Sequence, residues 1–124
     1  MISIEEVEAM LERAAAKIPK ELYKDLNGGI ILLPNTKIHH QAVANDLYIL
    51  GEYHRSRAMG RYIAIYYGSF NKASGHLSKQ QLEKKLEHTL KHEFTHHIES
   101  LAGDRDLEIE DEININRYLR RHKR

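Results

Sequence analysis

A small α+β domain is the fold this sequence predicts, on three observations. Apolar residues recur at helical spacing near the start, β-rich segments fill the middle, and a long helical stretch follows them. The 124 residues suit a single domain, 1–124, because one core ordinarily occupies about 100–150 residues. The expected parts are an N-terminal helix, a small three-stranded sheet, a long helix bearing the candidate site, and a C-terminal helix.

Ser3 followed by Glu6 reads as a capping box, and Ile4, Val7, Met10, Leu11 and Ala14 share one helical face, so a helix starts there and stops before Pro19. A short helical turn over Lys20 to Leu26 comes next. "NGG", Asn27 to Gly29, is turn chemistry leading into "IILLP", a buried strand ended by Pro34. Asn35 to Asp46 shows no period and reads as loop. "LYILGEY", Leu47 to Tyr53, and "RYIAIYYGSF", Arg61 to Phe70, are rich in β-branched and aromatic residues and read as strands joined by the hairpin-like "HRSRAMG". Ser78 and Gln81 form a second capping box, and nothing interrupts the helix after it until Gly103, a natural residue just past a helix end. That helix is expected to run about 24 residues, or about 36 Å. A final helix is expected over Leu107 to Arg121.

Hydrophobic residues at 41% and charged residues at 30% exclude a disordered chain. No apolar run approaches the ~20 residues of a bilayer span, so no membrane partner is expected. The acidic N-terminus "MISIEEVEAMLERAAAK" lacks the basic start and apolar core of a signal peptide, and a cytoplasmic protein is expected. With no cysteine, disulfides, thiolate metal sites and cysteine nucleophiles are excluded, and any metal must be held by His, Asp or Glu. A net charge of +1 favours no particular partner. The basic tail residues Arg117, Arg120, Arg121, Lys123 and Arg124 suit the dipole at a helix C-terminus, so nucleic acid is not the expected partner.

The chemistry-bearing stretch is "LKHEFTHHIES", Leu90 to Ser100, which sets His92, Glu93 and His96 in the spacing H-E-x-x-H. On a helical wheel started at Leu82, the apolar residues Leu82, Leu86, Leu90, Phe94, Ile98 and Leu101 fill an arc from about 0° to 160°. Glu93 falls at about 20°, His96 at about 320° and His92 at about 280°, so the three cluster along one border of the apolar stripe, where a cleft floor belongs. Two imidazoles one turn apart can chelate one cation, and zinc in a hydrolase needs such ligands plus an open position for water. Glu93 is then the general base, and afterwards the general acid toward the leaving amine. His88, at about 240°, drifts toward solvent, and His97, at about 60°, faces the stripe as a packed histidine or a group behind the ligands. His39, His40, His54 and His76 read as surface histidines. Tyr53, Tyr66, Tyr67 and His54 are available as oxyanion stabilisers.

These segments resemble the minimal zincin-like metallopeptidases, small bacterial single-domain proteins. The likeness covers most of the chain and rests on "AAAKIPKEL", on "LYILGEYHRSRAMGRYIAIYYGSF" and on "TLKHEFTHHIES" with its double His. It implies a zincin-like fold, a small sheet over an active-site helix, and zinc-dependent cleavage of a peptide or protein substrate. The family commonly has Gly three residues after the second ligand and an acidic ligand three further on; here Glu99 stands at the Gly position and two extra residues precede the acidic cluster. Matching "GDRDLE" to that cluster implies Asp104 as the third metal ligand, with Gly103 turning the chain back toward the metal. Asp106, Glu108, Asp111 and Glu99 remain alternatives.

The expected function is thus a zinc metallopeptidase with His92, His96 and Asp104 on the metal and Glu93 as base, its substrate extended along an edge strand at Arg61 to Tyr67. The alternative is a non-catalytic metal-binding or regulatory module with a degenerate site.

Overall fold

The computed structural model describes residues 2–40 and 47–121, with side chains as far as 104. Helix α1 spans Ile4–Ala16, capped as expected: the Ser3 side chain accepts from the Glu6 N–H while the Glu6 carboxylate accepts from the Ser3 N–H. A 3₁₀ turn, Lys20–Tyr23, leads to strand β1, Gly29–Leu33. Lys37–Ile38 (β2) and Tyr48–Ile49 (β3) form a two-stranded antiparallel ribbon, the first lying inside the segment expected to be loop. Strand β4 is Gly51–Ser56, β5 is Gly60–Tyr66, α2 is Tyr67–Ser74 and α3 is Lys79–Arg121.

The main sheet has the order β1-β5-β4, with β5 parallel to β1 and antiparallel to β4. Ile63 and Ile65 of β5 are fully buried against Val7, Met10 and Leu11 of α1 and Leu82, Leu86, Leu90 and Phe94 of α3. The two long helices therefore cover one face of the sheet. Their facing surfaces are bordered by ion pairs, Arg13 with Glu83 and Lys17 with Glu87 at 2.6 Å. Being solvent-exposed, these pairs fix orientation more than they add stability.

Three expectations are corrected. The strand expected to reach Phe70 ends at Tyr66, and Tyr67 begins a helix. The helical turn carries Phe70 into the core and buries Ser69, whose hydroxyl accepts from the Lys37 N–H at 2.9 Å and donates to the Lys37 carbonyl at 3.2 Å. Next, the helix expected to stop at Gly103 runs on to Arg121, 43 residues in all as α3, and absorbs the separate final helix. A side chain at Gly103 would meet open space, so this glycine sits within the helix at a propensity cost only, about 1 kcal/mol. Finally, β5 is the central strand of the sheet, so the edge strand expected at Arg61 to Tyr67 is instead β4.

The outer edge of β4, unpaired among the described residues, has a definite register. Tyr66 N–H donates to the Leu50 carbonyl at 2.9 Å, which makes 50 and 66 a hydrogen-bonded pair. Alternation along the antiparallel ladder then turns the backbone groups of Glu52 and His54 toward β5 and those of Gly51, Tyr53 and Arg55 outward.

Candidate active site

The site lies where α3 crosses β4. Thr89, Glu93 and His97 are spaced i, i+4, i+8 on α3 and are all buried, forming the stripe that faces the strand. Opposite Thr89 stands Gly51, where an added Cβ would come within 3.1 Å of the Thr89 Cγ2 and within 3.1 Å of the Ile65 Cδ1. Glycine is what lets helix and strand approach this closely. Opposite His97 stands Tyr53, with Tyr53 Oη and His97 Nδ1 2.8 Å apart.

His97 is fully buried, and its Nε2 lies 2.7 Å from the Lys24 carbonyl oxygen. That oxygen can only accept, so Nε2 carries the proton and the Tyr53 hydroxyl donates to Nδ1. The second histidine of "HH" is therefore the packed histidine expected, and it fixes a tyrosine of the cleft wall.

Gly51, Glu52, Tyr53, Arg55, His92, Glu93, His96, Glu99 and Ser100 line one cleft. His92 and His96 are exposed at its lip, while Glu93 between them in sequence is 5% exposed. The two Nε2 atoms are 3.1 Å apart, with the rings nearly perpendicular at 89°. Two imidazole nitrogens each about 2.0–2.1 Å from one zinc ion stand about this far apart at an angle of roughly 100°. The pair thus fits a single cation. His96 Nδ1, on the far side of its ring, lies 3.8 Å from Glu99 Oε2, beyond hydrogen-bond reach.

Burial pushes the Glu93 carboxyl above the usual carboxylate range; His92 and His96 draw it down, and Glu52 adds to the upward push. Glu52 is differently placed. Burial works to raise it, but the Lys37 ammonium and the Tyr66 hydroxyl, which donates at 2.6 Å, outweigh burial and hold it below the usual range. Its charge is therefore already answered. His54 Nε2 lies 3.4 Å from the same carboxylate, and its ring stacks on Tyr62.

The structure does not bring Asp104 to the two histidines. On a continuous helix it lies two turns past His96, about 12 Å along the axis, and its carboxylate pairs with Arg55, at 3.2 Å and 3.4 Å, and with Arg61. Among the described residues no three His, Asp or Glu side chains gather to hold a metal. Asp106, Glu108 and Asp111 lie beyond the described side chains.

The oxyanion candidates also sort themselves. The Tyr53, Tyr66 and Tyr67 hydroxyls donate to His97, Glu52 and the Ile2 carbonyl, and His54 Nε2 faces the Glu52 carboxylate, so each of the four expected donors already has a partner. Sequence reasoning missed Arg55 and the Lys37–Glu52–Tyr66 cluster. Only the alternation of "GEYHR" hinted that charged residues would line an edge.

Two further findings set the context. Among the described residues no helix is long and apolar enough to cross a membrane. A broader depression between α1 and α3 is lined by Arg13, Lys17, Glu83 and Glu87, whose charges are paired with one another.

The fold and cleft define a mixed α+β domain with an H-E-x-x-H pair at the lip of a helix–strand cleft. No protein-family model and no curated protein matches the chain. Among solved structures it is similar to a conserved hypothetical protein from Thermo thermophilus, with a TM-score of 0.69 and 30% sequence identity. The match covers 82% of this chain and 99% of that one, and the chain belongs to the family of that protein.

Proposed function

We propose that the protein is a zinc-dependent metallopeptidase of zincin-like fold. The observation that carries this reading is the pair of His92 and His96 Nε2 atoms, 3.1 Å apart, over the buried Glu93 in a cleft walled by the open edge of β4. His92 and His96 are the residues that hold the metal. A zinc ion held there supplies Lewis acidity that makes water nucleophilic near neutral pH.

The remaining work falls to the chain. Outward-facing backbone groups of Gly51, Tyr53 and Arg55 pair with an extended peptide as an added strand, bringing its carbonyl over the helix. Glu93 accepts the proton that the attacking water gives up and returns it to the leaving amine. Its burial raises its proton affinity, which suits both transfers. The Tyr53–His97 link holds the cleft wall in place.

Zinc stoichiometry and hydrolysis of a broad peptide library test the reading. Glu93→Ala is expected to keep the metal and lose hydrolysis; undiminished hydrolysis by this variant removes Glu93 as base. A second reading, a non-catalytic metal-binding module, is favoured by one observation: no third side chain joins the histidine pair among the described residues. Bound metal without an exchangeable water, and no cleavage anywhere in the library, select it.

A further inference from the structure

We propose that Arg55 is the carboxylate anchor of this cleft, binding either the C-terminal α-carboxylate or an acidic side chain of a peptide laid along β4. The inference rests on the peptidase reading and names the substrate class it lacks.

The balance of charge in the cleft points to Arg55. Of the acidic groups lining it, Glu52 is answered by Lys37 and Tyr66, Glu93 is buried, and Glu99 lies beside His96. Arg55 is the one Lys or Arg among the lining residues. Among the described residues its negative partner is Asp104, which is shared with Arg61, so two guanidiniums divide one carboxylate.

The two arginines are not equivalent. Arg61 is 17% exposed and belongs to the central strand, whereas Arg55 is 57% exposed and meets Asp104 at 3.2 Å and 3.4 Å. A substrate carboxylate can therefore take the Arg55 fork while Arg61 keeps Asp104 paired, and no buried charge is stranded.

The register supports this placement. Gly51, Tyr53 and Arg55 present their backbone groups at the free edge, so a peptide paired there passes Glu93 and reaches the guanidinium. Arg55 stands two residues beyond Tyr53, about 7 Å along the strand. A carboxylate held by it belongs to a residue near the bond to be cut.

The test uses three dansyl-labelled hexapeptides of one neutral sequence: the free C-terminal acid, the C-terminal amide, and the amide with one Gln changed to Glu. Binding is read by fluorescence anisotropy on the full chain freed of metal, at low salt. At least one acidic peptide is expected to bind about tenfold more tightly than the neutral amide, and the one that gains identifies the carboxylate's source. Arg55→Ala and Arg55→Gln are expected to bring it down to the amide's level, with Arg55→Lys retaining part of the preference. Equal binding of all three peptides, no binding of any, or a preference that survives in Arg55→Gln overturns the proposal. Zinc binding and library hydrolysis are measured separately. Hydrolysis without carboxylate preference sinks the anchor and spares the peptidase reading, and preference without zinc or hydrolysis does the reverse.

Discussion

Three residues carry most of the site's physical interest: Glu93, His97 and Arg55. Burial raises the Glu93 carboxyl, so the folded state binds its proton more tightly than the unfolded chain does. The favourable contribution is therefore complete in acid, and it is lost as pH rises through the elevated value. Glu93→Gln, which carries no charge at any pH, is expected to melt above the wild type near neutrality in the metal-free chain. That gap should close toward pH 4; a gap that is constant or widens in acid contradicts the assignment. For His97 the expectation is the opposite. His97→Phe keeps a ring in the core but strands the Lys24 carbonyl and the Tyr53 hydroxyl, at a cost of about 2–4 kcal/mol in denaturant unfolding. A loss below about 0.5 kcal/mol would mean that water replaces both bonds.

Among the elements, α3 and β4 decide the geometry. Gly103 interrupts neither the helix nor its surroundings, so Gly103→Ala is expected to stabilise by about 0.5–1 kcal/mol. A destabilisation would indicate that the helix breaks there in solution. Gly51 is the contrasting glycine. Gly51→Ala forces Thr89 and Ile65 to give way and is expected to cost about 1–3 kcal/mol, relieved in part when Thr89 is shortened to Ser. Calorimetry on the double variant provides the check, and additive losses would place the strain elsewhere.

For the whole molecule, the peptidase reading makes metal the largest external lever. Under the peptidase reading, zinc at 100 times its dissociation constant adds about 2.7 kcal/mol, and a chelator removes it. The His92→Ala variant should show no such gain in a thermal melt, and an equal gain there would locate the metal away from this pair. How far the sequence foretold this molecule follows the range of the forces involved. Both capping boxes, the core stripe of α3 and the clustering of His92, Glu93 and His96 were legible because they depend on neighbours within a few residues. The helix at Tyr67 was not, because Phe70 and Ser69 choose it through partners elsewhere in the chain. Nor was the path of α3 past Gly103, since the arginines that hold Asp104 lie more than 40 positions away. Strand order escaped for the same reason: Ile63 and Ile65 say that β5 is buried, but pairing on both sides makes it central.

The outward backbone groups of Gly51, Tyr53 and Arg55 have a consequence for what the cleft can admit. A ligand that docks there must arrive with its own N–H and C=O groups unspent, and folded domains have already committed theirs. Main-chain pairing also ignores side-chain identity. Under the peptidase reading, an enzyme built on this edge would act as a sieve for foldedness, passing tails, unfolded stretches and fresh chain ends, and turning native surfaces away.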